Sequence, residues 1–74
     1  MSSSRDPLVD PQPGDVVGLW AGWERTVRMR TPRKVWFDSR CGNAKFFGQT
    51  AWIAQWRLTC TDSTVRVIRR GEAQ

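Results

Sequence analysis

The chain has 74 residues, with 12 Lys and Arg against 7 Asp and Glu and a net charge of +5. This length predicts a single small domain, and a composition of 39% hydrophobic and 11% aromatic residues excludes a disordered tail. His is absent, which removes the most common general base and the most common metal ligand.

The first part of the chain predicts a flexible segment followed by a strand. Residues 1–12 are rich in Ser, Asp and Pro, and the prolines exclude regular hydrogen bonding there. A turn at residues 13–15 then begins a first strand at residues 16–20. We expect Asp15 to accept hydrogen bonds from the backbone donors of this turn.

A strictly alternating segment predicts the second strand. In residues 26–30, Val27 and Met29 share one face of the strand, while Arg28 and Arg30 share the other. We expect the face with Val27 and Met29 to be buried.

Residues 34–39 alternate in the same way and predict a third strand, with Trp36 on the polar face. The Gly-Asn pair at residues 42–43 predicts a two-residue hairpin turn, because both residue types tolerate positive φ. Residues 44–47 then form a short fourth strand, which Gly48 ends.

Residues 51–57 predict a short helix with Thr50 as its N-cap. Trp52 and Trp56 lie four residues apart, so a helix places both indoles on one face. We expect this pair to fill one end of the core.

The predicted order is therefore four strands, a short helix and a fifth strand at residues 64–69, before a flexible tail at residues 70–74. Five short strands in a flat sheet leave one apolar face uncovered. Closure of the sheet into a barrel is therefore favoured.

Short motifs within residues 10–69 fit such a barrel: Asp10-Pro11, Pro13-Gly14-Asp15-Val16-Val17, Arg25-Thr26-Val27, Val35-Trp36-Phe37, Ala51-Trp52, Trp56, Val65 and Val67. With these residues the chain resembles an SH3-like β-barrel and is similar to small SH3-like proteins of phages and prophages. The resemblance implies a mostly β fold, with a five-stranded SH3-like barrel over residues 13–69 and a short helix before the last strand. It implies no activity.

The residues predict no catalytic centre, metal site or cofactor. His and Tyr are absent, and no Gly-rich phosphate loop is present. Cys41, near Arg40, could act as an activated thiol, but the chain has no His to deprotonate it. Without His, Cys41 and Cys60 are too few for a zinc site, and we expect two free thiols rather than a disulfide.

Cations interleaved with aromatic residues predict a binding surface instead. The candidate residues for nucleic-acid or partner binding are Arg25, Arg28, Arg30, Arg33, Lys34, Trp36, Arg40 and Lys45. If the second and third strands pair, Arg28, Arg30, Lys34 and Trp36 share one outward face, which combines phosphate-binding charge with a stacking ring. In the alternative interpretation, Trp36 packs under the stem of a neighbouring Arg as a structural cation–π contact.

The second functional hypothesis is a protein-interaction or inhibitory module that docks on an acidic host or virion protein. Exposed Trp20 and Trp23, with Trp52 and Trp56, would be its aromatic anchors, since Trp and Arg are enriched in interface hot spots. No apolar stretch approaches the length of a membrane span, and the absence of a signal-peptide pattern predicts a location in the cytoplasm of a bacterial host cell. The oligomeric state stays open.

Overall fold

The computed structural model describes residues 6–71, which form one antiparallel sheet of five strands and a short helix. The elements are β1 (Val16–Gly18), a 3₁₀ turn (Trp20–Gly22), β2 (Glu24–Arg30), β3 (Lys34–Cys41), β4 (Ala44–Trp52), α1 (Ile53–Thr59) and β5 (Arg66–Arg69). The predicted mostly β architecture, with a helix before the last strand, is confirmed. The strand order is β4-β3-β2-β1-β5, so β4 and β5 are the edges of an open sheet.

The first strand lies inside the sheet because the last strand returns to it. Val17 is opposite Arg25 of β2 and also opposite Val67 of β5. The inner face of the sheet, which carries Val17, covers an apolar core completed by α1. The buried members of this core are Val17, Leu19, Val27, Val35, Phe37, Ile53, Trp56, Cys60 and Val65.

An irregularity in β2 changes which side chains face the core. Val27 is opposite Phe37 and Met29 is opposite Trp36, so Arg28 is an extra residue in β2. A one-residue bulge moves the side chains that follow it to the opposite face. The prediction that Met29 is buried beside Val27 is therefore wrong, and Met29 is 50% exposed beside Trp36.

A second irregularity lies in β4. Phe37 is opposite Gln49 and Ser39 is opposite Phe46, which leaves Phe47 and Gly48 together across from the residue between them in β3. Gly48 takes a positive φ of 71°, a conformation that glycine adopts at little cost. The strand bends here and continues to Trp52, so the prediction that β4 ends at Gly48 is wrong.

Because β4 is longer than predicted, the helix starts later in the chain and the two tryptophans lie in different elements. Thr50 lies inside β4 rather than at the N-cap, and the helix begins at Ile53, whose N–H donates to the Arg33 carbonyl at 2.8 Å. Trp56 is fully buried, as predicted, whereas Trp52 is 58% exposed. The expectation that both indoles fill the core is wrong for Trp52, because that residue ends a strand and is opposite Lys34.

The N-terminal segment packs on the helix and on the end of β2. Pro7 and Pro11 are fully buried. The Pro7 carbonyl accepts a buried hydrogen bond from Trp56 Nε1 at 3.1 Å, and the Val9 carbonyl accepts one from Arg57 Nε at 2.7 Å. The sequence predicts a flexible segment at 1–12, but residues 6–12 of it make specific contacts; the rest of that segment and most of the tail at 70–74 lie outside the described residues.

Asp15 joins the two ends of the folded region. Its side chain is fully buried and accepts hydrogen bonds from the N–H of Gln12 at 2.8 Å and of Gly71 at 2.6 Å. The predicted role of Asp15 in satisfying backbone donors is confirmed. The bond to Gly71, at the other end of the chain, is one that turn chemistry does not predict.

The two cysteines are free thiols in different surroundings. Cys60 belongs to the core, and burial raises the pKa of its thiol to about 11. Cys41 ends β3, and its Sγ donates to the Ala21 carbonyl at 3.4 Å.

Candidate nucleic-acid interface

The outer face of the sheet, which points away from the core, carries exposed rings and several exposed cations. Alternation along β3 places Lys34, Trp36, Asp38 and Arg40 on this face. Cross-strand pairing brings Trp52 opposite Lys34 and Lys45 opposite Arg40. The two bulges add Met29 from β2 and Phe47 from β4 to the same side.

A groove of about 470 Å³ runs across the outer face from β4 to β5. Its charged lining consists of four cations and two carboxylates: Arg28, Arg40, Lys45, Arg69, Glu24 and Asp38. The groove is therefore net positive. Each of the five strands contributes residues to its lining, so the groove crosses the whole sheet.

Two of the groove cations are held by carboxylates. Arg28 Nη1 lies 2.8 Å from Asp38 Oδ2, and Arg40 Nη2 lies 3.2 Å from Glu24 Oε1. Both arginine side chains remain largely exposed, and ion pairs of this kind contribute only about 0–1 kcal/mol. The carboxylates therefore orient the guanidinium groups without preventing contact with a phosphate.

The other two groove cations, Lys45 and Arg69, form no salt bridge with any residue in 6–71. Lys45 is exposed at the start of β4, and Arg69 ends β5 opposite Val16. They lie on the two edge strands of the sheet. Their charge is available to a polyanion that spans the groove.

Exposed rings lie next to these cations. Phe47 is 72% exposed between the main groove and a shallower cavity that Trp36 also lines. The ammonium of Lys34 lies 5.9 Å from the centre of the Trp36 ring and 5.0 Å from that of Trp52. Trp36 thus makes a cation–π contact, as the alternative interpretation expects, but the expected Arg partner is wrong, because the cation is Lys34. Trp36 remains only half-buried.

The structure brings together five of the eight sequence-predicted residues on this face: Arg28, Lys34, Trp36, Arg40 and Lys45. Arg30 is not among them, because after the bulge it is opposite Val35 and turns inward. Its side chain is 16% exposed, pairs with Asp10 and donates to the Pro11 carbonyl at 3.2 Å.

Arg25 and Arg33 also lie elsewhere. The Arg25 guanidinium is on the core side, 4.5 Å from the centre of the Phe37 ring. Arg33 is exposed in the turn between β2 and β3. The predicted outward set of Arg28, Arg30, Lys34 and Trp36 is therefore wrong for Arg30 alone.

Sequence reasoning missed Met29, Phe47, Trp52 and Arg69 as members of this face. One available signal was the Phe46-Phe47 pair, because neighbouring residues of a strand point to opposite faces and both rings cannot face the core. Met29 gave no such signal, since its position depends on a bulge that the alternation hides.

Residues 6–71 contain no group of three or more Cys, Asp and Glu side chains placed to hold a metal ion. Within the same residues, α1 is the only α-helix, and it is too short to cross a membrane. No protein family, curated protein or solved structure was found to match the chain. The outer face therefore has to be interpreted from its own chemistry.

Proposed function

We propose that this protein is a non-enzymatic binding module of the SH3-like barrel type, of phage or prophage origin, that binds nucleic acid through the outer face of its sheet. The return of β5 to β1 after a short helix supports the fold assignment, since that is the arrangement implied by the sequence resemblance. The observation that carries the function is a net-positive groove whose lining includes the exposed Phe47 ring. The proposed location is the cytoplasm of a bacterial host.

The cations and rings of the outer face address different parts of a nucleotide. Lys and Arg side chains neutralise phosphates and release counterions, which supplies affinity without sequence preference. Phe and Trp rings stack on bases, and each stacked base contributes about 1–3 kcal/mol. Because the bases of a duplex are already stacked on each other, exposed Phe47 and half-buried Trp36 favour a single strand.

The charge contribution is tested by removing one cation from the groove and one from outside it. Binding of a fluorescent single-stranded oligonucleotide is measured by anisotropy at several salt concentrations. Three to four phosphate contacts predict a slope of log affinity against log salt of about −2 to −3. Lys45→Ala should reduce this slope by about 0.7, whereas Arg33→Ala, a matched loss of one exposed charge, should leave it unchanged. Equal effects of the two substitutions would refute the groove as the phosphate site.

Stacking is tested with the neighbouring phenylalanines, which lie on opposite faces. Phe47→Leu should weaken single-strand binding by about fivefold to a hundredfold, the equivalent of about 1–3 kcal/mol. Phe46→Leu makes the same chemical change on the inner face and should have no effect. If the two variants bind equally, or if duplex and single strand bind alike in both, the rings of the outer face do not stack on bases.

A further inference from the structure

The inner face of the sheet carries a third cavity, separate from the groove and the shallower cavity of the outer face. It is an open cleft of about 310 Å³ beside the connection between β1 and β2. Its main lining consists of three aromatic and three polar side chains: Trp20, Trp23, Phe46, Arg25, Ser39 and Gln49. We call it the Trp20–Trp23 cleft.

The aromatic walls of the cleft are held in place although they are exposed. The rings of Trp23 and Phe46 pack with their centres 5.7 Å apart, and Trp20 and Phe46 are each about half exposed. The connection is closed by hydrogen bonds from Leu19 N–H to the Trp23 carbonyl at 2.7 Å and from Trp23 N–H to the Trp20 carbonyl at 3.2 Å. The two indoles are thus presented on a fixed loop.

This loop contains the only non-glycine residue in 6–71 with a positive φ. Ala21 has φ 59° and ψ 25°, a left-handed conformation that costs an L-residue about 1–2 kcal/mol. Its carbonyl accepts the contact from Cys41 Sγ. Local strain of this kind persists where the surrounding structure fixes it and is concentrated at binding sites.

Arg25 gives the cleft its charge. The guanidinium carbon lies 4.5 Å from the Phe37 ring centre and 5.6 Å from that of Trp56, so the cation is packed on two rings. Its Nε is buried and has no hydrogen-bond partner, and no salt bridge to Arg25 occurs within residues 6–71. Burial lowers the pKa of this guanidinium below its ordinary value. A desolvated cation without an anion is unfavourable, and the contact with aromatic rings compensates for it only in part.

The polar side of the cleft is arranged to supply donors. The Ser39 hydroxyl donates to Gln49 Oε1, which leaves the Gln49 amide nitrogen for another acceptor. Among the described residues, those that line the cleft include no carboxylate. An incoming acceptor therefore meets a guanidinium and an amide, and it meets no like charge.

We propose that the Trp20–Trp23 cleft binds an acidic peptide segment of a protein partner, with a Glu or Asp carboxylate on Arg25 and an adjacent apolar side chain against the exposed Trp20 and Phe46 rings. A Glu or Asp side chain suits this cleft, because its carboxylate can pair with the half-buried guanidinium and its apolar stem can contact the aromatic walls. The exposed groove of the outer face, with its several cations, suits phosphates instead. This inference does not rest on the proposed nucleic-acid binding, since the cleft lies on the other face of the sheet.

The test compares two blocked tripeptides, acetyl-Leu-Glu-Leu-amide and acetyl-Leu-Gln-Leu-amide, with the full chain labelled with ¹⁵N. We expect the Glu peptide to cause saturable shifts of the Arg25 Nε and of the Trp20 and Trp23 indole signals. The Gln peptide should bind at least fivefold more weakly. Equal binding of the two peptides, or no saturable shift at millimolar Glu peptide, would overturn the proposal.

Matched variants show whether the peptide binds at the cleft and separate a loss of binding from a loss of folding. Arg25→Gln should abolish binding of the Glu peptide, and Arg28→Gln, which removes an arginine from the outer face, should not. Since Arg25 packs on the core, Phe46→Leu provides a second test at an exposed position and should weaken binding, with Phe47→Leu as its control. If a single-stranded oligonucleotide displaces the peptide, the cleft belongs to the nucleic-acid site and the assignment to a protein partner is wrong.

Discussion

The two tryptophans at positions 52 and 56 allow a sharp test of the fold, because the same substitution should strongly lower stability at one position and hardly change it at the other. Trp56 is fully buried and its Nε1 donates to the Pro7 carbonyl, whereas Trp52 is 58% exposed at the end of β4. We therefore compare Trp56→Phe with Trp52→Phe.

Two losses add up in Trp56→Phe. The buried Pro7 carbonyl loses its donor, which costs about 1–3 kcal/mol. The smaller ring leaves a cavity that costs about 1–2 kcal/mol, less than the ~3–5 kcal/mol of truncation to Ala. At roughly 0.05–0.15 kcal/mol per residue, a chain of 74 residues has about 4–11 kcal/mol of stability, so this loss is a large part of the total.

The measurement is urea unfolding followed by far-ultraviolet circular dichroism, which does not depend on the altered fluorophores. We expect Trp56→Phe to lower the free energy of unfolding by about 2–5 kcal/mol, equivalent to roughly 8–40 °C in Tm. We expect Trp52→Phe to change it by less than about 0.5 kcal/mol. Similar losses in both variants would show that a helical pair fills the core, as the spacing alone predicts, and would refute the exposed position of Trp52.

Three further predictions concern the core thiol, the chain ends and the inward arginine. Burial raises the pKa of Cys60 to about 11, so the folded state holds a proton that the unfolded thiol releases near pH 9, and stability should fall between about pH 9 and 11. Cys60→Val should reduce this fall in urea titrations. In the folded protein at pH 8, only Cys41 should react with iodoacetamide. Gly71→Ala should lower Tm, because an added Cβ would lie 2.2 Å from the Pro13 carbonyl oxygen. Gly42→Ala has open space around it and should cost only the strain of its positive φ, about 1–2 kcal/mol. Arg30→Ala should expose the N-terminal segment to limited proteolysis, whereas Arg33→Ala should not; equal cleavage in both would contradict the anchoring by Arg30.

The turns and strand starts that the sequence predicts correctly depend on local chemistry. The Gly-Asn pair forms the predicted hairpin between Cys41 and Ala44, with Gly42 at φ 60°. The alternation of residues 34–39 places Val35 and Phe37 in the core, as expected. These features follow from neighbouring residues alone, so one sequence is sufficient to specify them.

The misplaced residues depend on contacts that are distant in the chain. The extra residue at Arg28 is visible only in the register with β3, and it reverses the sides of Met29 and Arg30. Packing of residues 6–12 depends on Trp56 and Arg30, which lie far along the sequence. Composition alone therefore predicts flexibility there, and the predicted interface gains or loses a residue wherever the register shifts.

The hydrogen bond from Gly71 to the Asp15 carboxylate has a consequence for how the chain folds. β2, β3 and β4 are joined by short turns and can pair as local hairpins, but β1 gains its second neighbour only when β5 closes a loop that contains the rest of the sheet and the helix. The entropy of closing such a loop is lost before its contacts form, which slows folding. We therefore expect docking of β5 to be the last step of folding and its release to be the first step of unfolding.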